Sequence, residues 1–182
     1  STGFMDAVDR AGHATNATEL RESTRGLLGS GLYTAGGDDQ GNIIFSAFQG
    51  FPCRGYLDRD EDGRWVDGAH PRFLLDGTRY GGFTIPSVDG LADESQADDP
   101  YRCVVPFNVV PQAENPPEGF VVAANNDPGG LTTDGTLHDG DWYIGGPWNS
   151  TRGSTIARDL RAGIDQGIVD LAYMSQVQAN RT

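Results

Sequence analysis

Lysine is absent from this sequence: all 13 basic residues are Arg, set against 26 Asp and Glu, for a formal net charge of -13 and an isoelectric point near 4.4. A surface of that sign repels phosphate backbones and anionic headgroups, which argues against nucleic-acid and membrane-surface roles. It suits saline surroundings or divalent cations. Long apolar runs are also missing. None approaches the ~20 residues that span a bilayer, and the N-terminus has no basic-then-apolar segment, so any export signal is expected upstream or already removed. Cysteine is down to two residues, Cys53 and Cys103, with no C-x-x-C pair and no His spacing suited to zinc. Three His, at 13, 70 and 138, share no spacing. Nucleophile-elbow, phosphate-loop, zinc-protease and dinucleotide signatures are all lacking.

Glycine and proline are present in quantity, 26 and 10 in 182 residues, while the hydrophobic share is only 37% and the mean hydropathy -0.45. The chain is long enough to bury a core and rich in loops. For such an acidic, loop-rich chain one Cys53–Cys103 disulfide is favoured over two buried thiols, which would place the protein outside the cytoplasm. Sequons occur at Asn16, Asn149 and Asn180.

Phe4, Val8 and Ala11 recur at helical spacing, and Asn16 followed by Glu19 reads as a capping box opening a second helix through Leu20, Leu27 and Leu28. Residues 29–41 read as turn-rich. Residues 42–48 (NIIFSAF) carry apolar residues on both faces, the pattern of a strand covered on both sides. Asp58, Asp60, Asp62 and Gly63 form D-x-D-x-D-G, the opening of a calcium loop, but position twelve is Ala69 and the flanks are not helical. The expectation there is a solvated acidic turn. Residues 101–110 read as a strand interrupted at Pro106, 111–117 as an extended connector, and 119–124 as a strand that stops in Asn125-Asn126-Asp127-Pro128. Ser154 is expected to cap a helix through Ile156, Leu160 and Ile164 that breaks at Gly167, followed by a last helix with Ile168, Leu171, Ala172 and Met174. The chain stops at Thr182 while still helical in character, as though continued beyond it.

Four segments, in order, resemble the β-chain of the penicillin acylase family (peptidase family S45) of N-terminal-nucleophile hydrolases. GGDDQGNIIFSAFQGFPCR is similar to its acidic turn, Gly-Asn-Ile, strand and Gly-x-x-Pro-x-Arg. AHPRFLLDGT resembles its Pro-Arg loop, GFVVAANNDP its strand ending in paired Asn, and DWYIGGPWNSTRGSTIARDL its aromatic segment, Arg and helix. The resemblance implies an α+β fold, part of an αββα core with long loops, with residues 1–182 a single partial domain from the middle of a larger β-chain. It implies amide cleavage by acyl transfer, with an N-terminal Ser as nucleophile and its own α-amino group as base. By the same carry-over Asn125 is the oxyanion-hole Asn and Arg152 the active-site Arg that orients it. Asp141 and Pro71 fall at calcium-ligating positions, the Pro through its carbonyl.

The resemblance further implies the remaining α- and β-chain segments as partners, a small-molecule amide as substrate (a β-lactam side chain, an acyl-homoserine lactone or a lipopeptide acyl group), and a periplasmic or extracellular location. The family's nucleophile segment, a Ser followed by Asn and Trp on a strand, has no counterpart here. Ser1 is a chain-initial Ser, but it leads into Phe4-Met5-Asp6-Ala7-Val8, a helical pattern where the nucleophile needs a strand. A non-catalytic extracellular structural or binding module built on the same scaffold is the alternative.

Overall fold

The computed structural model describes residues 2–29, 31–127 and 150–180. Helix α1, Thr2–His13, runs where the Phe4, Val8, Ala11 spacing places it. Helix α2, Ala17–Ser23, starts at the expected cap: the Asn16 side chain accepts from the Glu19 N–H at 2.9 Å. The returning half of the box lands one residue early, with the Glu19 carboxylate accepting from Thr15 N at 2.8 Å and Thr15 Oγ1 at 2.9 Å. The helix is shorter than expected. It tightens into a 3-10 turn, Thr24–Gly26, before Leu27 and Leu28, because the Ser23 and Thr24 hydroxyls donate to the carbonyls of Leu20 and Arg21 and close its last turn.

The sheet is antiparallel, order β1-β2-β5, with β1 at Thr34–Gly37, β2 at Ile43–Ser46 and β5 at Gln112–Glu114. Thr34 pairs with Ser46 and Gly37 with Ile43, while Ile44 faces Glu114 and Ser46 faces Gln112. β2 is the central strand, and, as the two-faced apolar pattern implies, Ile44, Phe45, Ser46, Ala47 and Phe48 are all buried. Two expectations are corrected here. The turn-rich stretch 29–41 contains β1, and the connector 111–117 contains β5. Both are polar or Gly-rich edge strands whose pairing is dictated by β2 rather than by their own propensity. At the β1–β2 turn Gly41 takes φ +86, and the Asp38 carboxylate accepts from Gln40 N, Asn42 N and Asn42 Nδ2, and from Ala17 N in the first turn of α2.

The main core gathers Phe45, Ala47, Phe48, Phe51, Val105, Phe107 and Val110, with the Phe48 and Phe107 rings edge to face at 4.9 Å. Residues 101–110 are not the expected strand. Their pairing is a single bridge, Pro52 to Val104, flanked by bonds from Cys53 N to Cys103 O and Val105 N to Phe51 O. Pro52 and Pro106 each lack the N–H that would extend the ladder. The Cys53–Cys103 disulfide closes this junction, as expected.

A second cluster of Tyr56, Leu57, Ala69 and Tyr80 lies beneath the acidic turn and a one-turn helix α3, Gly77–Tyr80. The turn's carboxylates are spent on protein donors: Asp60 accepts from Asp62 N and Arg64 N, Asp62 pairs with Arg64, and Asp58 takes Arg79 and the Tyr80 hydroxyl. A two-stranded ribbon follows, β3 at Ser87–Val88 with β4 at Leu91–Ala92, then a 3-10 turn at Glu94–Gln96.

The strand expected at 119–124 does not form: Gly119, at φ +74, closes a turn with the Pro116 carbonyl, and no strand pairs with residues 120–124 among the described residues. Helix α4, Ser150–Gln166, begins a turn before Ser154, so that serine lies inside the helix and not at its cap; the upstream turn is held by packing of Gly153 against Asn126. The helix ends, as expected, at Gly167, whose φ is +66. Helix α5, Leu171–Ala179, is capped by Asp170, so Ile168 precedes it. It returns along α4, with the Tyr173 hydroxyl donating to the Asp159 carbonyl at 2.6 Å. The architecture is α+β: helices with small antiparallel sheets. No helix among the described residues is long and apolar enough to cross a membrane.

Candidate functional site

The irregular run 120–124 leads into Asn125, which takes a left-handed conformation, φ +55. Asn tolerates that region better than most side chains, because its short polar group bonds locally. Here the neighbour does the local bonding. Asn126 Oδ1 accepts from Ala124 N at 2.9 Å, and Asn126 Nδ2 donates to the Asp127 carbonyl at 3.2 Å. The second Asn thus locks the turn, and the first is left to present its carboxamide outward.

What meets that carboxamide is Arg152, the third residue of α4. Its Nη2 donates to Asn125 Oδ1 at 2.5 Å, across 27 residues of sequence. A carboxamide has one acceptor end and one donor end. With a permanently charged guanidinium on the oxygen, the bond is charge-assisted and the NH₂ is the end turned away from Arg152. The approach depends on Gly153, buried against the turn: a Cβ there would stand 2.9 Å from Asn126 Cβ. Asn125 and Arg152 are both exposed on this chain.

Two cavities open beside the pair. One of about 610 Å³ lies between the run 121–123 and helices α4 and α5, lined by Val121, Ile156, Leu160, Met174 and Val177 together with Arg152. Another of about 370 Å³ has Gly31, Leu32, Tyr33, Gln49, Ala123 and Asn125 in its walls. The Tyr33 phenol is pushed up from its ordinary value, first by burial and then by the negative charge of Asp127, so it stays protonated at neutral pH.

The structure therefore brings together two of the four residues singled out by sequence, Asn125 and Arg152. Asp141 lies outside the described residues, as do Ser1 and His138. Pro71 sits in the loop after His70, remote in sequence from the pair, and its carbonyl accepts no hydrogen bond among the described residues. That leaves one oxygen free where calcium takes six to eight. No group of three or more His, Cys, Asp or Glu able to hold a metal occurs among the described residues. His13 bonds to the Asp9 carbonyl and His70 packs on Phe73.

Tyr33, Gln49 and Gly31 were missed by sequence reasoning. The only available signal was that Gln49 falls inside the FQGFP segment, three residues before Pro52 and five before Arg54, and so stands at the Gly position of the family's Gly-x-x-Pro-x-Arg spacing.

No curated protein and no solved structure matches the chain at a significant level. A family profile described as penicillin amidase matches residues 1–182. That match takes in both the Asn125 turn and the Arg152 helix that closes on it, and the chain belongs to the penicillin amidase family.

Proposed function

We propose that this chain supplies the charge-stabilising half of an acyl-transfer site in an amidohydrolase. Asn125 Nδ2 donates to the oxyanion that develops when the substrate amide carbonyl is attacked, and Arg152 holds the carboxamide so that this end faces the reacting centre. The observation that carries the reading is the Arg152 Nη2 to Asn125 Oδ1 bond. It occupies the acceptor end, leaving a neutral donor on a fixed turn, and it costs no reorganisation as charge develops. The nucleophile is an N-terminal Ser, with its own amino group as base, on a segment outside this sequence; the fold is part of an αββα core.

The exposure of both residues supports partners. An oxyanion donor is worth most where water is excluded, so the remaining α- and β-chain segments both carry the nucleophile and cover the pair. The substrate is a small-molecule amide. A calcium ion held in part by Asp141 and the Pro71 carbonyl belongs to the reading as a structural ion with no part in the chemistry. A periplasmic or extracellular location fits the Cys53–Cys103 disulfide.

Asn125→Ala in the full-length protein tests the assignment. Loss of one such donor removes about 2.7–4 kcal/mol of transition-state stabilisation, a fall of 10²–10³ in kcat. Near-normal turnover in a folded variant would remove Asn125 from the site.

A further inference from the structure

Gln49 lies three residues beyond the end of β2, half-buried, in the wall of the 370 Å³ cavity that Asn125 also lines. Its backbone carbonyl is used by Phe51 N at 2.7 Å, but its side-chain amide has no hydrogen-bond partner among the described residues. The cavity is kept open there by Gly31, since a Cβ at that position would come within 3.3 Å of Gln49 Oε1. Asn125 contributes a donor to the same space, because Arg152 takes its oxygen. Two carboxamides from separate segments thus share one cavity whose other walls are Gly31, Leu32, Tyr33 and Ala123.

A trans secondary amide holds its C=O and N–H in one plane, pointing in opposite directions. A site that reads both must therefore draw a donor and an acceptor from different segments. Asn125 can supply only the donor. Gln49 can supply the acceptor.

We propose that Gln49 is the group that makes this site selective for amides: its Oε1 accepts the N–H of the scissile bond while Asn125 Nδ2 donates to the carbonyl oxygen. The inference rests on the amidohydrolase reading of Asn125. An ester of the same acyl group offers an oxygen where the amide offers N–H, so it receives the Asn125 contact and forgoes the Gln49 one. A neutral carboxamide acceptor lost from a well-placed hydrogen bond changes binding by about 0.5–1.5 kcal/mol, roughly threefold to tenfold.

The test compares p-nitroanilides with the matching p-nitrophenyl esters, across acetyl to dodecanoyl and phenylacetyl groups, in the full-length protein. Gln49→Leu is expected to lower kcat/KM for the best anilide by about threefold to tenfold and to leave the matching ester within twofold, at an unchanged thermal midpoint. Gln49→Glu, which keeps the acceptor, should restore the wild-type anilide-to-ester ratio. Equal losses on both substrates, or no change on either, would overturn the assignment of Gln49 while leaving Asn125 in place. If Asn125→Ala spares both substrates, or the wild-type protein cleaves neither series, the underlying reading fails and this one with it.

Discussion

Gly153→Ala separates two effects that act in opposite directions at the same atom. In a helix interior Ala is favoured over Gly by about 1 kcal/mol, so propensity alone predicts stabilisation. The new Cβ would meet Asn126 Cβ at 2.9 Å and Cγ at 3.3 Å. Carbon atoms rest at about 3.5–4.0 Å, so α4 and the Asn126 turn must part by roughly 0.6–1.1 Å. Asn126 cannot turn away, since its Cβ is fixed by the backbone and its carboxamide is bonded to Ala124 N and the Asp127 carbonyl. Overpacking of this kind costs about 1–3 kcal/mol, which outweighs or cancels the propensity gain.

The sharper consequence falls on the neighbouring residue. A shift of about 1 Å carries the 2.5 Å Arg152–Asn125 bond to roughly 3.5 Å, the limit of a hydrogen bond. Misplacement on that scale lowers turnover by up to about 10²-fold. Amide hydrolysis and thermal unfolding of the full-length variant give the two readouts. The expected result is a ten- to hundredfold loss of kcat/KM with a melting temperature that falls or barely moves. A melting temperature raised by helix propensity, with turnover intact, would refute both the packing and the positioning argument.

Other consequences are open to measurement. The Cys53–Cys103 bond closes a loop with a sequence separation of 50, which on chain-entropy grounds is worth about 4 kcal/mol; Cys103→Ser should lower the urea midpoint accordingly, and unfolded, unreduced protein should titrate no thiol. The Asp38 carboxyl is held at about 2, below its ordinary 3.8, chiefly by the Asn42 side chain and then by the Asn42, Ala17 and Gln40 N–H groups. Its folded value lies below its unfolded one, so the stability it lends is present above about pH 4 and lost as pH falls through about 2. Stability measured from pH 5 to pH 2 should therefore lose slope in Asp38→Asn, and an unaltered acid limb would show that Asp38 does not anchor α2 to the β1–β2 turn.

Much of the scaffold is legible in local pattern. The spacing of Phe4, Val8 and Ala11, the Asn16 cap, the two-faced run at Ile43–Ser46 and the Gly167 break each act through atoms close in sequence, and each stands where its residues place it. What is not legible depends on partners far along the chain. Gln112–Glu114 has the composition of a connector, and becomes an edge strand only because Ile44, Phe45 and Ser46 offer it a ladder. Residues 101–110 have the composition of a strand, and fail to become one because the segment opposite begins at Pro52 and their own continuation is Pro106. The run 120–124 shows the same dependence in reverse: it has apolar residues suited to a sheet and no strand beside it among the described residues.

The site follows a similar division, and the division bears on how Asn125 and Asn126 are told apart. In sequence they are an undifferentiated pair, and either would serve as a turn-former. Once the backbone enters φ +55 at Asn125, only Asn126 can reach back to Ala124 N, so the second amide is consumed in making the turn that frees the first. Arg152 then resolves what remains ambiguous in a symmetric-looking carboxamide, because a guanidinium has donors only and must choose the oxygen. The orientation of the Asn125 donor is thus set by two side chains with no catalytic chemistry of their own. A Lys at position 152 would keep the charge and lose the fixed planar fork, which leaves Arg, the only long basic side chain this protein uses, as the residue whose geometry the donor requires.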